Sequence, residues 1–163
     1  MRRATGVISG LRFERRDPCP VPAYRRLYRD VGAQWYWHDR LEWPDAQLAE
    51  YLAQPEVAVW EAMLGTASAG YFELKRHDDR GVEVVYFGLV AGFIGRGLGG
   101  AMLTRAIDEA WTMGAMRVWL HTCTLDSPNA LPAYKARGLR AFRTERFEAE
   151  FDGLRLVSER PLP

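Results

Sequence analysis

The apolar positions along the 163-residue chain change period several times, and each change predicts an element. Residues 11–16 read as a short first strand. Pro22 then opens the segment AYRRLYRDV, in which Leu27 and Val31 lie four apart, the spacing of one helix face. Trp35, Tyr36, Trp37 and Trp43 crowd the next loop, after which Asp45 is placed to cap a second short helix carrying Leu48, Tyr51 and Leu52, ended by Pro55. Three strand-like runs follow: VAVWEAML from Val57, ASAGYFELKR from Ala67 and VEVVYFGLV from Val82. They are separated by Gly65 and Thr66 and by the polar turn HDDRG, which predicts an antiparallel meander. From Leu98, the residues Met102, Leu103, Ala106, Ile107, Ala110 and Trp111 mark one helix face, with Gly114 as the stop. MRVWLHTC then has strand character, a short helix is expected from about Pro128 to Arg137, and two strand-like runs, LRAFRTERFEAEF and LRLVSER, close the chain. A strand, a helix of about sixteen residues and another strand make one crossover unit, so the strands holding Val85 and Val118 are expected to be parallel neighbours.

Composition narrows the class without naming a chemistry. Apolar residues make up 48% of the chain and no Gly-, Ser- or Pro-rich linker divides it, which predicts a single domain over residues 1–163. A net charge of +1 and the lack of a dense basic cluster argue against a nucleic-acid partner. The N-terminal MRRATGVISG lacks the apolar core of a signal peptide and no run approaches a membrane span, so a soluble, cytoplasmic protein with no membrane partner is expected. Cys19 and Cys123 lack C-x-x-C spacing and His38, His77 and His121 are scattered, so no metal is expected and free thiols fit a reducing compartment.

The stretch GFIGRGLGGAMLTRAIDEAW carries a G-x-G-x-x-G at Gly95, Gly97 and Gly100 that runs into the longest helical pattern. Glycines before a helix suit an anion, because backbone NH groups can approach it while the helix N-terminus contributes partial positive charge. Dinucleotide binding, one reading of that motif, expects the loop to follow the first strand and an acidic residue about twenty positions on. Here RVWLHTC occupies that place without a carboxylate, and several strands precede the loop. A Walker loop requires Lys-Ser or Lys-Thr after the glycines, which is absent.

The order strand VEVVYFGLV, loop, IGRGLG, long helix, strand, then SPNALPAYKARGL resembles the GNAT superfamily of acyl-CoA-dependent N-acetyltransferases. The loop motif of that family is Gln or Arg, two residues, Gly, one residue, Gly or Ala; Gly97 and Gly99 take the glycine positions and Arg96 the basic position before them. Ile94 stands at the leading Gln or Arg position, and Ala91 where proline is frequent. A second block resembles N-P-x-A-x-x-x-Y-x-x-x-G-F, occupied by Ser127, Pro128, Ala130, Tyr134, Gly138 and Leu139. Ser127 is a good N-cap and Pro128 suits the first helical position, whereas Pro132 predicts a bent or broken turn.

The resemblance implies a mixed, mostly antiparallel α/β sheet of six or seven strands with one parallel pair, flanked by about four helices. It implies acetyl-CoA as co-substrate and an amine of a small molecule or peptide as acceptor; a homodimer is compatible with it. The backbone of Phe87, Leu89, Val90 and Ala91 is expected to pair with the pantetheine arm, with an NH near Phe87 on the developing oxyanion. Gly95, Arg96, Gly97, Leu98, Gly99 and Gly100 are expected at the phosphates, and Ser127, Asn129 and Tyr134 are expected among the cofactor contacts. Gly100 then helps the helix start instead of completing a dinucleotide fingerprint.

Acetylating an amine needs a neutral nucleophile, since a lysine-like amine is neutral in only about one part in a few thousand at pH 7. It also needs a proton for the departing thiolate. Tyr134, carried over from the family's helix tyrosine, is the candidate acid. Glu83, thirteen positions before Arg96, matches the strand glutamate that is the base in the histone-acetylating members. Four strand residues span about 13 Å, so from a thioester beside Phe87 it reaches the amine through water. His121 is the rival base, and with Cys123 it raises a Cys-His nucleophile, against which stands an ordinary buried thiol. Trp35, Trp37 and His121 are the candidate acceptor contacts, with Tyr36, His38, Asp39, Arg40 and Trp43 in the same pocket region. The alternatives are a non-catalytic acyl-CoA-binding regulatory module and a dinucleotide-binding domain.

Overall fold

The computed structural model describes residues 7–122, 126–151 and 154–160. They form two compact units, Met1–Val118 and Trp119–Pro163. The first holds β1 (Leu11–Arg16), α1 (Val21–Gly32), a 3-10 turn (Ala33–Trp35), α2 (Asp39–Glu42), α3 (Asp45–Leu52), β2 (Val57–Leu64), β3 (Ala67–Arg76), β4 (Gly81–Leu89), a second 3-10 turn (Ala91–Phe93) and α4 (Leu98–Thr112). β5 (Arg117–Leu120) begins at its end, and the second unit carries α5 (Ala130–Ala136), β6 (Glu145–Phe151) and β7 (Leu154–Arg160).

The expected meander forms. β1, β2, β3 and β4 pair antiparallel in sequence order, and β5 lies beside β4 as the parallel partner that the crossover through α4 requires. The strand count differs from the expected six or seven, because the main sheet has five and β6 and β7 form a separate two-stranded sheet. These two strands pair with each other along their whole length, from Glu145 opposite Arg160 to Phe151 opposite Leu154.

Helix α1 begins with proline in its first turn, where a missing NH costs nothing, and buries Tyr24, Leu27, Tyr28 and Val31 along one stripe. It packs on β3, β4 and α3. The period of two in β3 turns Tyr71 and Glu73 toward this side and Phe72 toward the other. There Phe72 stacks on Trp60, and the Arg105 guanidinium of α4 covers the Trp60 ring at 4.9 Å. Helix α4 buries Leu98, Met102, Leu103, Ala106 and Ala110, but Trp111, expected on that face, is 51% exposed. It lies about 100° around the helix from Ala110, off the packed seam.

Four further expectations are corrected. Asp45 is the first residue of α3 and caps nothing, its carboxylate being engaged by Arg25 at 2.7 Å. The run from Leu139 is strand only from Glu145 onward, and, among the described residues, MRVWLHTC only over Arg117–Leu120. Pro132 does not break α5, since it is the third residue of that helix, where the backbone NH has no intrahelical acceptor.

Two carboxylates lie inside the first unit, and they are compensated differently. Glu61 is 1% exposed and receives Arg16 at 2.5 Å and Arg26 at 2.9 Å. Burial pushes its carboxyl up, but the nearby Ser68 hydroxyl and the hydrogen bonds from Arg26 and Arg16 outweigh that and hold it below the ordinary carboxylate range. Glu73 belongs to the candidate site.

β3 and β4 approach closely at Gly70, where a Cβ would run into the Gly88 carbonyl oxygen and lie 3.0 Å from the Leu89 Cα. Both obstacles are backbone and cannot rotate away. Gly70→Ala is therefore expected to lower the unfolding free energy by about 1–3 kcal/mol, measured as a lower urea midpoint at unchanged m-value; a wild-type midpoint would contradict this close approach.

Candidate active site

The glycine loop follows β4 and ends on the N-terminus of α4. Gly97 occupies the N-cap position at φ +78°, in the left-handed region that favours glycine. A Cβ there would meet nothing within 4 Å, so backbone conformation and clear space, not packing, call for glycine. The first turn of α4 carries no acidic residue, and no side chain caps it. The positive end of a 15-residue helix dipole is thus left unopposed by this chain's own carboxylates. Gly99 and Gly100 fall in that first turn, and Leu98 is buried beneath it. Arg96 is exposed, its guanidinium 5.1 Å from the Phe93 ring centroid, while Ile94 is 43% exposed and Gly95 also takes a left-handed φ. β4 precedes this loop as the fourth strand of an antiparallel meander, which is not the first strand of a dinucleotide-binding half.

On β4 itself, Phe87 and Leu89 are half-buried, as is Val90 beyond it, and Ala91 is exposed at the start of the second 3-10 turn. Glu83 lies near the other end of the strand, opposite Lys75, with its carboxylate 3.0 Å from His77 Nε2. A register shift between Glu73 and Leu74 restores parity, so that Glu73, opposite Tyr86, and Glu83 share one sheet face.

The polar centre of that face is Glu73, with no solvent exposure. Tyr24 of α1 and Tyr51 of α3 each donate a hydroxyl hydrogen bond to its carboxylate at 2.5 Å. Arg40 of α2 lies 3.4 Å away and is itself packed over aromatic rings, 4.0 Å from Trp43, 4.5 Å from Tyr51 and 5.4 Å from Tyr86. Burial, then the Glu73 charge, pushes both phenols far above their ordinary range, so they stay protonated and donate. Burial works against the Arg40 charge, and Glu73 more than restores it. Next to this cluster, Trp37 packs 4.9 Å from Tyr86 and 5.5 Å from Tyr28, and Tyr36 before it has φ 60°. Trp35 ends the first 3-10 turn half-buried.

None of Glu73, Tyr24, Tyr51 or Tyr86 stood out in the chain as chemistry. The one available signal was an inward-facing carboxylate in the otherwise apolar alternation of ASAGYFELKR. Arg25 was missed as well: it binds the backbone carbonyl of Arg40 at 3.0 Å and that of Trp43 at 2.6 Å, and so ties the segment carrying Arg40 to α1.

In the second unit, Tyr134 of α5 is 8% exposed, and burial together with the nearby Asp126 charge raises its pKa, leaving the neutral phenol as the resting form. Ser127 accepts the Asn129 NH at 3.3 Å, as a capping serine does, although regular helix starts only at Ala130 with Asn129 in the N-cap position. His121 lies edge-on to Trp119 at 5.2 Å. Cys123, and with it the Cys-His pair, falls outside the described residues. Among the described residues no group of three His, Cys, Asp or Glu is placed to hold a metal, and no helix is long and apolar enough to cross a membrane.

Residues 24–139 match the Acetyltransferase (GNAT) family. An uncharacterized N-acetyltransferase from Mycobacterium tuberculosis is 34% identical over 102 residues, which span 60% of this chain and 65% of that protein. Among solved structures, the ribosomal-protein-S18-alanine N-acetyltransferase from Escherichia coli superposes with a TM-score of 0.70 at 14% identity, covering 92% of this chain and 90% of that chain. A GNAT family acetyltransferase from Elizabethkingia anophelis with acetyl-CoA bound gives 0.67 at 15% identity, over 93% of this chain and 95% of that one. At these identities the two structures establish likeness of fold.

The geometry around Glu73 carries its own test. Tyr51→Phe keeps the ring beneath Arg40 but deletes one of the two phenol donors to a buried carboxylate. It is expected to cost about 1–3 kcal/mol of stability in urea unfolding, and a loss within error of zero would show that the hydroxyl does not support Glu73.

Proposed function

The chain belongs to the Acetyltransferase (GNAT) family, and from that premise we propose that it transfers an acetyl group from acetyl-CoA directly to a primary amine of a small molecule or peptide. The observation that carries the reading is the uncapped N-terminus of α4, opened by left-handed Gly97 in the loop that follows the half-exposed end of β4. Such an end suits a pyrophosphate, held by the backbone NH groups of residues 95–100 with Arg96 beside it. Phe87, Leu89, Val90 and Ala91 offer the strand-like backbone for a pantetheine arm, and the family resemblance adds Ser127 and Asn129 as cofactor contacts. The family match runs from 24 to 139 across both compact units, which supports one functional domain.

In the proposed reaction the amine nitrogen forms a bond to the thioester carbonyl carbon, the Phe87 NH steadies the oxyanion, and the carbon–sulfur bond breaks. The amine's proton passes through water to Glu83, whose carboxylate is paired with His77. Tyr134 gives its hydroxyl proton to the departing thiolate and is reprotonated from solvent, so the phenolate never accumulates. Trp35, Trp37 and His121 are the acceptor contacts in this reading.

Thiol release from acetyl-CoA across a panel of amines tests the activity; binding without release for any amine would replace it with a non-catalytic acyl-CoA-binding module. Tyr134→Phe is expected to lower kcat by about ten- to a thousandfold with little change in acetyl-CoA affinity, and an unchanged rate would remove Tyr134 from the mechanism. Gly97→Val puts a β-branched residue at φ +78° in the loop and is expected to abolish acetyl-CoA binding in calorimetry. Full binding by a folded Gly97→Val protein would rule out this loop as the phosphate seat.

A further inference from the structure

Trp43, Tyr51 and Tyr86 surround a guanidinium, and Glu73 lies behind it. Aromatic faces over a buried carboxylate are how proteins hold a desolvated cation. The occupant here belongs to the protein itself, and it fits imperfectly. Arg40 spends its charge on Glu73 through one hydrogen bond of 3.4 Å, long for a charged pair, and its buried Nε has no hydrogen-bond partner. Glu73 meanwhile is already solvated by two short phenol bonds from α1 and α3. The phenols and the rings thus define the site, and the arginine fills it.

We propose that the cage of Trp43, Tyr51 and Tyr86 over Glu73 is a cation site for the acceptor, closed in this structure by Arg40, and that an alkylammonium group of the incoming amine enters by displacing the Arg40 side chain. Exchange of one cation for another keeps the buried carboxylate compensated throughout, so neither state strands an unpaired charge. A compact ammonium can direct all its donors to the carboxylate and the two hydroxyls, where the planar guanidinium leaves one nitrogen unused. The side chain can leave without unravelling its segment, because Arg25 holds that segment by backbone carbonyls and not through the Arg40 guanidinium. Tyr86 adjoins Phe87 in β4, so the cage lies one residue along the strand from the backbone NH expected at the thioester. The identity of the ligand as an acceptor amine rests on the acetyltransferase reading; the cation site itself does not.

Isothermal titration calorimetry with n-butylammonium chloride, without acetyl-CoA, separates the two. Arg40→Ala opens the cage and is expected to bind butylammonium at least about tenfold more tightly than the wild type, whose competent state is reduced by the resident arginine. The neutral isostere n-butanol is expected to give no matching heat, and the double variant Arg40→Ala with Glu73→Gln to lose the gain. Equal affinity in Arg40→Ala and wild type, or equal heats for butanol and butylammonium, would overturn the proposal. So would an Arg40→Ala protein that folds neither alone nor with butylammonium present, because a displaceable plug is not required for folding. Cation binding by a protein that never turns over acetyl-CoA would leave the cage standing and overturn the acetyltransferase reading alone.

Discussion

A fully buried carboxylate with no second charge bonded closely to it constrains the whole α1 side of the sheet. Leaving Glu73 without donors would cost several kcal/mol, so the elements above it must deliver polar groups to one point. α1 supplies Tyr24, α3 supplies Tyr51, and the short α2 supplies Arg40. α1 and α3 are thereby fixed relative to β3 by hydrogen bonds as well as by apolar contact, while α2 lends a charge. Hydrophobic burial alone would tolerate small slides of α1 over the sheet, whereas two hydroxyl bonds of 2.5 Å do not. Glu61 shows the contrasting solution. Two part-exposed arginines from β1 and α1 satisfy it directly.

The side proposed for the cofactor is built on a different principle. Nothing there is held by buried charge; residues 85–100 are largely half-exposed or exposed, and what they offer is backbone. The two ends of β4 thus serve different tasks. Its first residues pair tightly in the hairpin, with Glu83 tied to His77, while its last ones run into a loop whose glycines give access to the N-terminus of α4.

Much of the architecture was legible because its causes are local. Alternation in three successive runs gave the meander, the four-residue spacing gave α1 and α4, and a strand, helix and strand in sequence demanded a parallel pair. The ends were less legible. Trp111 is apolar yet lies off the seam, and the run after Leu139 has strand composition but pairs only from Glu145, because ladder pairing is decided by a partner distant in sequence. The site divides in the same way. The glycine loop announces itself through residue types with special backbone freedom. The Glu73 cluster does not, since Tyr24, Tyr51 and Glu73 come from three segments as ordinary members of amphipathic patterns, and only the fold brings them together.

Arg25 places its guanidinium on main-chain oxygens of residues 40, 41 and 43 and on the Asp45 carboxylate. Such an anchor is blind to which side chains the residues between them carry. The rim of the aromatic chamber can therefore exchange its side chains over evolutionary time, or in a laboratory library, while its path through space is retained. Under the proposed acceptor reading, diversity confined to positions 40–43 samples new preferences on a retained main-chain path, whereas a change at Arg25 perturbs them all at once.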